Sequence, residues 1–118
     1  MSGWIGVDFD GTLAVYDGWN DGSLGAPVPL MLQRVKDWLA DGKEVRIVTA
    51  RVSSTGLMVG QKRDDESFAE QQRHAIQAWC VEHIGRPLKV TASKDFAMTE
   101  LWDDRAVRVE MNTGVRIK

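Results

Sequence analysis

What most constrains this chain is a strand, a helix and a second strand following one another within its N-terminal half. Trp4-Ile5-Gly6-Val7-Asp8-Phe9-Asp10 is a short apolar run ending in acids, the pattern of a buried strand whose carboxyl end carries carboxylates. Pro29 can open a helix, and Met31, Leu32, Val35, Trp38 and Leu39 follow at helical spacing until Gly42 stops it. Val45-Arg46-Ile47-Val48-Thr49 is then a second strand. Such a unit forces the two strands parallel, joined by a right-handed crossover.

The remainder extends this pattern. Gly11 to Gly25 is rich in Gly and Asp and reads as a loop or small flap, and Arg51 to Asp65 is a second loop. A capping box, Ser67-Phe68-Ala69-Glu70, is expected to open the next helix, whose apolar side runs Phe68, Ala75, Ile76, Trp79, Cys80 and Ile84 before Gly85. Leu88-Lys89-Val90 is a third strand, Ser93 to Met98 a loop with a helical turn, and Leu101-Trp102 a strand end entering Asp103-Asp104. Val107, Val109 and Met111 alternate with Arg108 and Glu110, which predicts a half-exposed strand at the sheet edge, followed by a turn at Asn112-Thr113-Gly114. With 118 residues and no linker, repeat or low-complexity tract, the spacing predicts one domain over 1–118 with a flap at 11–26.

Charge and cysteine use narrow the function classes. A net charge of −2 gives no general basic field to draw nucleic acid or anionic membrane, so any nucleic-acid substrate has to be held locally. Cys80 is the single cysteine, which excludes an internal disulfide and a Cys-rich zinc site and fits a reducing compartment. The start Met1-Ser2-Gly3-Trp4 lacks the pattern of a signal peptide, and no apolar run has the length to span a bilayer. The expectation is a cytoplasmic protein with no membrane partner.

In an open parallel sheet, ligands bind at the carboxyl ends of the strands. Asp8, Asp10, Thr49, Lys94, Asp103 and Asp104 all fall at or just beyond that edge. Strand periodicity puts Asp8 and Asp10 on one side, with Phe9 turned into packing. Nearby carboxylates repel unless a cation relieves them, and Asp103 and Asp104 add to the charge. A hard divalent cation with oxygen ligands suits the set, and Mg²⁺ also binds phosphate oxygens. A phosphate approaching these acids needs positive charge and donors: Lys94 supplies the first, and the Thr49 hydroxyl with the backbone N–H groups after it, at Ala50 and Arg51, supplies the second. Phosphoryl transfer needs chiefly positioning and charge stabilisation, so this set is sufficient.

Asp8-Phe9-Asp10-Gly11-Thr12-Leu13, then Thr49, then Lys94, then Asp103-Asp104 resembles the haloacid dehalogenase superfamily of phosphatases, whose motifs run in this order. The resemblance spans roughly residues 4 to 110. It implies a Rossmann-like three-layer sandwich around a central, mainly parallel sheet of about five strands, without a large cap. It further implies that Asp8 attacks phosphorus and becomes an aspartyl-phosphate, and that Asp10 acts as general acid and then general base. Thr49 and Lys94 would hold the phosphoryl group, Lys94 also restraining Asp8, with Gly11, Thr12, Ala50 and Arg51 as further phosphate or substrate contacts. Mg²⁺ would be held by Asp8, the carbonyl of Asp10 and Asp103, with Asp104 helping directly or through water. Lys89 competes with Lys94 but sits inside a strand.

The short flap around Tyr16, Trp19 and Asn20 leaves such a site open. That suits a substrate bulky enough to cover it, such as a nucleotide or phosphorylated nucleic-acid end, or a homo-oligomer that supplies the cover. Arg51, Lys62 and Arg63 are candidate contacts for the rest of the substrate. Two other functions share these residues: a phosphoacceptor or binding module without turnover, and phosphotransfer to an acceptor other than water.

Simpler roles account for the other conspicuous residues. The Asp-x-Asp-Gly run fails the EF-hand pattern, because Gly11 comes two places early and no closing glutamate follows. Cys80 and Arg86 have the Cys-x5-Arg spacing of cysteine-dependent phosphatases, yet Cys80 falls late on the apolar side of a helix, where packing is its role. His74 and His83 are nine apart, which is no metal-ligand spacing. Of five tryptophans, Trp4, Trp38, Trp79 and Trp102 fit core positions and Trp19 a substrate contact.

Overall fold

The structure is a computed structural model and describes residues 3–53 and 65–118. Among these residues six α-helices and β-strands follow in order: β1 (Trp4–Asp8), α1 (Pro29–Ala40), β2 (Glu44–Val48), α2 (Asp65–Ile84), β3 (Lys89–Thr91) and β4 (Met98–Trp102). The strands form one parallel sheet in the order β3-β2-β1-β4. β1 is central because it is apolar on both faces, with Trp4, Ile5 and Val7 all buried. The order starts outward from β1 and then reverses, so the switch point lies between β1 and β4, where a crevice opens beyond the strand ends.

Two successive right-handed crossovers in one direction place α1 and α2 on the same face. Met31 and Val35 from α1 and Ile76, Trp79 and Cys80 from α2 close over Ile5, Val7, Val45, Ile47 and Val90, with Phe9 and Leu13 sealing the carboxyl end. Phe9 meets Trp79 edge to face at 5.0 Å. α1 begins on Pro29, whose missing N–H costs nothing at that position, and no side chain caps it.

The expected three layers are not formed among the described residues. Residues 92–97 carry the chain from β3 to β4 across the other face, standing where a second helix layer would. Asp95 of this segment accepts from Trp4 Nε1 at 2.8 Å, and the Arg46 guanidinium lies 4.4 Å from the Trp4 ring centroid. The segment closes on a turn, Met98 N–H to the Asp95 carbonyl at 3.1 Å, and not on a helical turn.

Among the described residues the sheet has four strands, and not about five. The alternating segment at Val107–Met111 pairs with the residues after it: Glu110 N–H donates to Val115 O at 2.7 Å and Ile117 N–H to Arg108 O at 2.8 Å. Asn112 and Gly114 are both left-handed, at φ 70 and 78, and reverse the chain locally. Alternation identifies an extended segment but not its partner, and the nearer partner satisfies its backbone first. Helix α2 is under way at Asp65, so Ser67 lies inside it and does not open it.

The loop at 11–26 is pinned at its base. Val15 N–H donates to Ala26 O and Val28 N–H to Leu13 O, both at 2.8 Å, and Trp79 Nε1 reaches Gly25 O at 2.9 Å.

Candidate active site

Register brings the acids together. β4 runs beside β1 with Trp102 opposite Val7, so both strands end at one level and deliver Asp8 on one side and Asp103-Asp104 on the other. Each of these three offers a carboxylate oxygen, and the oxygens all lie within 4.8 Å of one another. Burial, then the charge of Asp103, then the hydrogen bond and charge of Asp104, push Asp8 from its ordinary 3.8 up to about 7. Three crowded carboxylates, one of them partly removed from water, are a donor set of the chemistry that Mg²⁺ takes.

Thr12 and Gly11 both pack against this cluster. The Thr12 hydroxyl lies 3.3 Å from Asp8 Oδ2 and 3.3 Å from Asp104 Oδ1, and accepts the Asp104 N–H at 3.0 Å. Gly11 sits at φ +86, and a Cβ there would come 2.7 Å from Asp104 Oδ2. Neither residue lines the adjoining cavity: Thr12 is buried under the acids, and Gly11 lies exposed against Asp104.

That cavity, of about 410 Å³, is lined by Asp8, Asp10, Tyr16, Trp19, Thr49, Ala50, Arg51, Asp104 and Arg105. Asp104 thus faces it, while Asp103 turns one oxygen to the Arg105 N–H at 2.9 Å. Thr49 is buried where β2 ends; its N–H donates to Thr91 O at 2.8 Å and its Oγ1 accepts from Arg51 N–H at 3.2 Å. The hydroxyl proton remains for a ligand, and the Ala50 N–H opens the short 3₁₀ turn Ala50–Val52, where it has no intrahelical acceptor.

Asp10 stands apart from the trio. Arg51 grips it with both arms of its fork, Nε to Oδ2 at 2.7 Å and Nη2 to Oδ1 at 3.0 Å. Arg51 Nη1 donates to Gly22 O at 2.8 Å and to Gln72 Oε1 at 2.9 Å, and Nη2 donates to Ser23 O at 3.4 Å. A guanidinium has five N–H donors, and all are engaged inside the protein. Its flat face lies 4.5 Å from the Trp19 ring centroid, so Trp19 brackets the arginine at the edge of the cavity.

Lys94 is exposed on the 92–97 segment, outside the cavity lining, and holds no hydrogen bond or ion pair among the described residues. Lys89 pairs in register with Arg46 and lines a cleft with Lys43 and Arg86, two residues along β3 from Thr91, which is level with the carboxyl end of β2. Register therefore removes Lys89 from contention. Arg86 shares that remote cleft, and burial pushes the Cys80 thiol up to about 11, so the Cys-x5-Arg pair makes no reactive centre. Lys62 and Arg63 lie outside the described residues.

Arg105 and the Asp10–Arg51 pair were not legible in the motifs. The available signals were an arginine directly after the acids that end β4, and an arginine two places after Thr49 at a strand end, where burial demands an acid partner.

No protein-family model matches the chain, and neither does any curated protein sequence. A solved structure, described as that of a conserved protein coded by a locus of Bacteroides thetaiotaomicron, is similar at a TM-score of 0.55 and 16% identity, covering 91% of this chain and 79% of that one. At this identity the likeness is one of fold alone.

Proposed function

We propose that this chain is a Mg²⁺-dependent phosphatase of the haloacid dehalogenase type, hydrolysing a phosphate monoester through an aspartyl-phosphate on Asp8. The observation that carries the reading is the meeting of the Asp8, Asp103 and Asp104 carboxylates within 4.8 Å at the switch point of a parallel sheet.

Asp8 attacks phosphorus, an Asp8 Oδ–P bond forming as the ester P–O bond breaks. Asp10 gives the leaving oxygen its proton, then takes one from the water that attacks the aspartyl-phosphate and releases inorganic phosphate. Thr49 and the Ala50 N–H donate to the phosphoryl oxygens, and Lys94 swings in from its exposed position to complete the cradle. Asp8, Asp103, Asp104 and the Asp10 carbonyl are the groups to hold Mg²⁺, which supplies positive charge beside the transferring group. The open cavity, edged by Tyr16 and Arg105, favours a nucleotide or phosphorylated nucleic-acid end. Multiple-turnover release of phosphate that requires Mg²⁺ and disappears in Asp8→Asn tests the assignment; full activity in that variant eliminates it.

The outward Lys94 and the engaged Asp10 favour a second reading, a phosphoacceptor without turnover, or transfer to an acceptor other than water. Lasting phosphoprotein after incubation with a small phosphate donor would support it.

A homo-oligomer is part of the proposal. Val107, Val109, Met111, Val115 and Ile117 on the C-terminal hairpin are all exposed. Residues 105–118 carry four basic groups against Glu110, a net +3 that leaves −5 for the rest of a chain whose whole is −2. An apolar, basic arm beside an acidic body suits a second copy, which would cover the site that the short flap leaves open.

A further inference from the structure

We propose that Arg51 positions Asp10 for the reaction and does so from the flap, so that the seating of residues 19–23 and the aim of the Asp10 carboxylate are one mechanical unit. The inference rests on the proposed phosphatase reading for the role of Asp10, but not for the coupling itself.

The unit is built on a single side chain that is 2% exposed. Arg51 reaches Asp10 through two donors, the flap carbonyls of Gly22 and Ser23 through two more, and Gln72 of α2 through the last. Its remaining surface, the flat face, lies against Trp19 of the same flap. A planar fork fixes direction as well as distance, so rotating the Asp10 carboxylate breaks the pairing geometry unless the guanidinium follows. The guanidinium cannot follow without leaving Gly22, Ser23 or Gln72. Asn20, Asp21 and Gly22 hold consecutive left-handed conformations, φ 48, 59 and 80, which set the turn that presents the two carbonyls to Arg51. The flap is thereby a part of the catalytic frame, and Trp19 belongs to the bracket around Arg51.

Two arms test this. In the first, kcat and KM are measured with p-nitrophenyl phosphate, whose leaving group departs unaided, and with an alkyl phosphate, whose leaving oxygen needs a proton. Arg51→Lys keeps the charge and loses the fork: kcat on the alkyl ester should fall about a hundred-fold or more, the activated ester only a few-fold, with KM little changed. Gln72→Ala, which leaves the fork intact but unsupported, should show the same selectivity at several-fold, and carries the test if Arg51→Lys does not fold. An equal loss on both esters, or a change in KM alone, overturns the proposal.

In the second arm, hydrogen exchange over residues 16–25 is followed without substrate. Asp10→Ala and Arg51→Lys should both speed it, and unchanged exchange in Asp10→Ala refutes the coupling. Wild-type protein that turns over neither ester defeats the phosphatase reading alone, because the exchange arm still decides whether acid and flap move together.

Discussion

Gly11 and Asp104, 93 residues apart, share space that a single methyl group would fill: the Cβ of any other residue at 11 would lie 2.7 Å from Asp104 Oδ2. The first acidic loop and the end of β4 lie close enough that a side chain at 11 would have to push the Asp104 carboxylate aside. Gly11→Ala should therefore displace Asp104 and weaken Mg²⁺ binding at least ten-fold by calorimetry. The φ of +86 adds about 1–2 kcal/mol of backbone cost, to be read as a lowered Tm. Unaltered Mg²⁺ affinity would detach Asp104 from the metal set.

Stability of the metal-free protein should depend on pH in an unusual direction. Asp8 has a folded value of about 7 against an ordinary 3.8, so between those values the folded chain binds the extra proton. Stability then falls as pH rises through this window and stops falling above about 7. In chelator, Tm should rise as pH is lowered from 7.5 to roughly 5. Asp8→Asn should remove this slope, and added Mg²⁺ should raise Tm at the upper end far more than at the lower. A slope of opposite sign would show that the acids do not crowd one another.

Replacing Asp10 by Asn should slow phosphate release by about a hundred-fold or more without changing Mg²⁺ affinity, because its side chain lies with Arg51 and not with the trio. Comparable losses of both would place its carboxylate on the metal.

The doubly substituted hairpin Val109→Asp, Met111→Asp should reduce self-association, measured by sedimentation velocity across a concentration series. Its circular dichroism should match the parent, since both side chains are exposed and outside the core. Identical sedimentation of the two proteins, with the parent associated, would put the contact elsewhere.

A core substitution calibrates the fold itself. Ile47 is fully buried on β2, level with Val7 of β1 and Val90 of β3, and Ile47→Ala should cost about 2–5 kcal/mol in denaturant unfolding.

Local pattern determined a great deal about this protein. Period and residue type located β1, α1, β2, β3 and the end of β4, because burying one side of a helix or strand leaves a repeat readable within a few residues. The acids at 8, 103 and 104 were legible as strand-end residues for the same reason, and the structure brings them together. What local pattern cannot carry is the identity of a neighbour. Whether residues 107–111 join the sheet or fold back on 115–117 depends on competition between partners, and both outcomes leave the same alternation. Likewise the absence of a helix across the second face, among the described residues, follows from how short a path suffices between β3 and β4. Arg51 and Asp10 lie 41 residues apart, and an arginine at a strand end reads as a substrate contact until the fold buries it against an acid. Tertiary structure alone decided that pairing, because the burial of a charge is set by everything that closes around it.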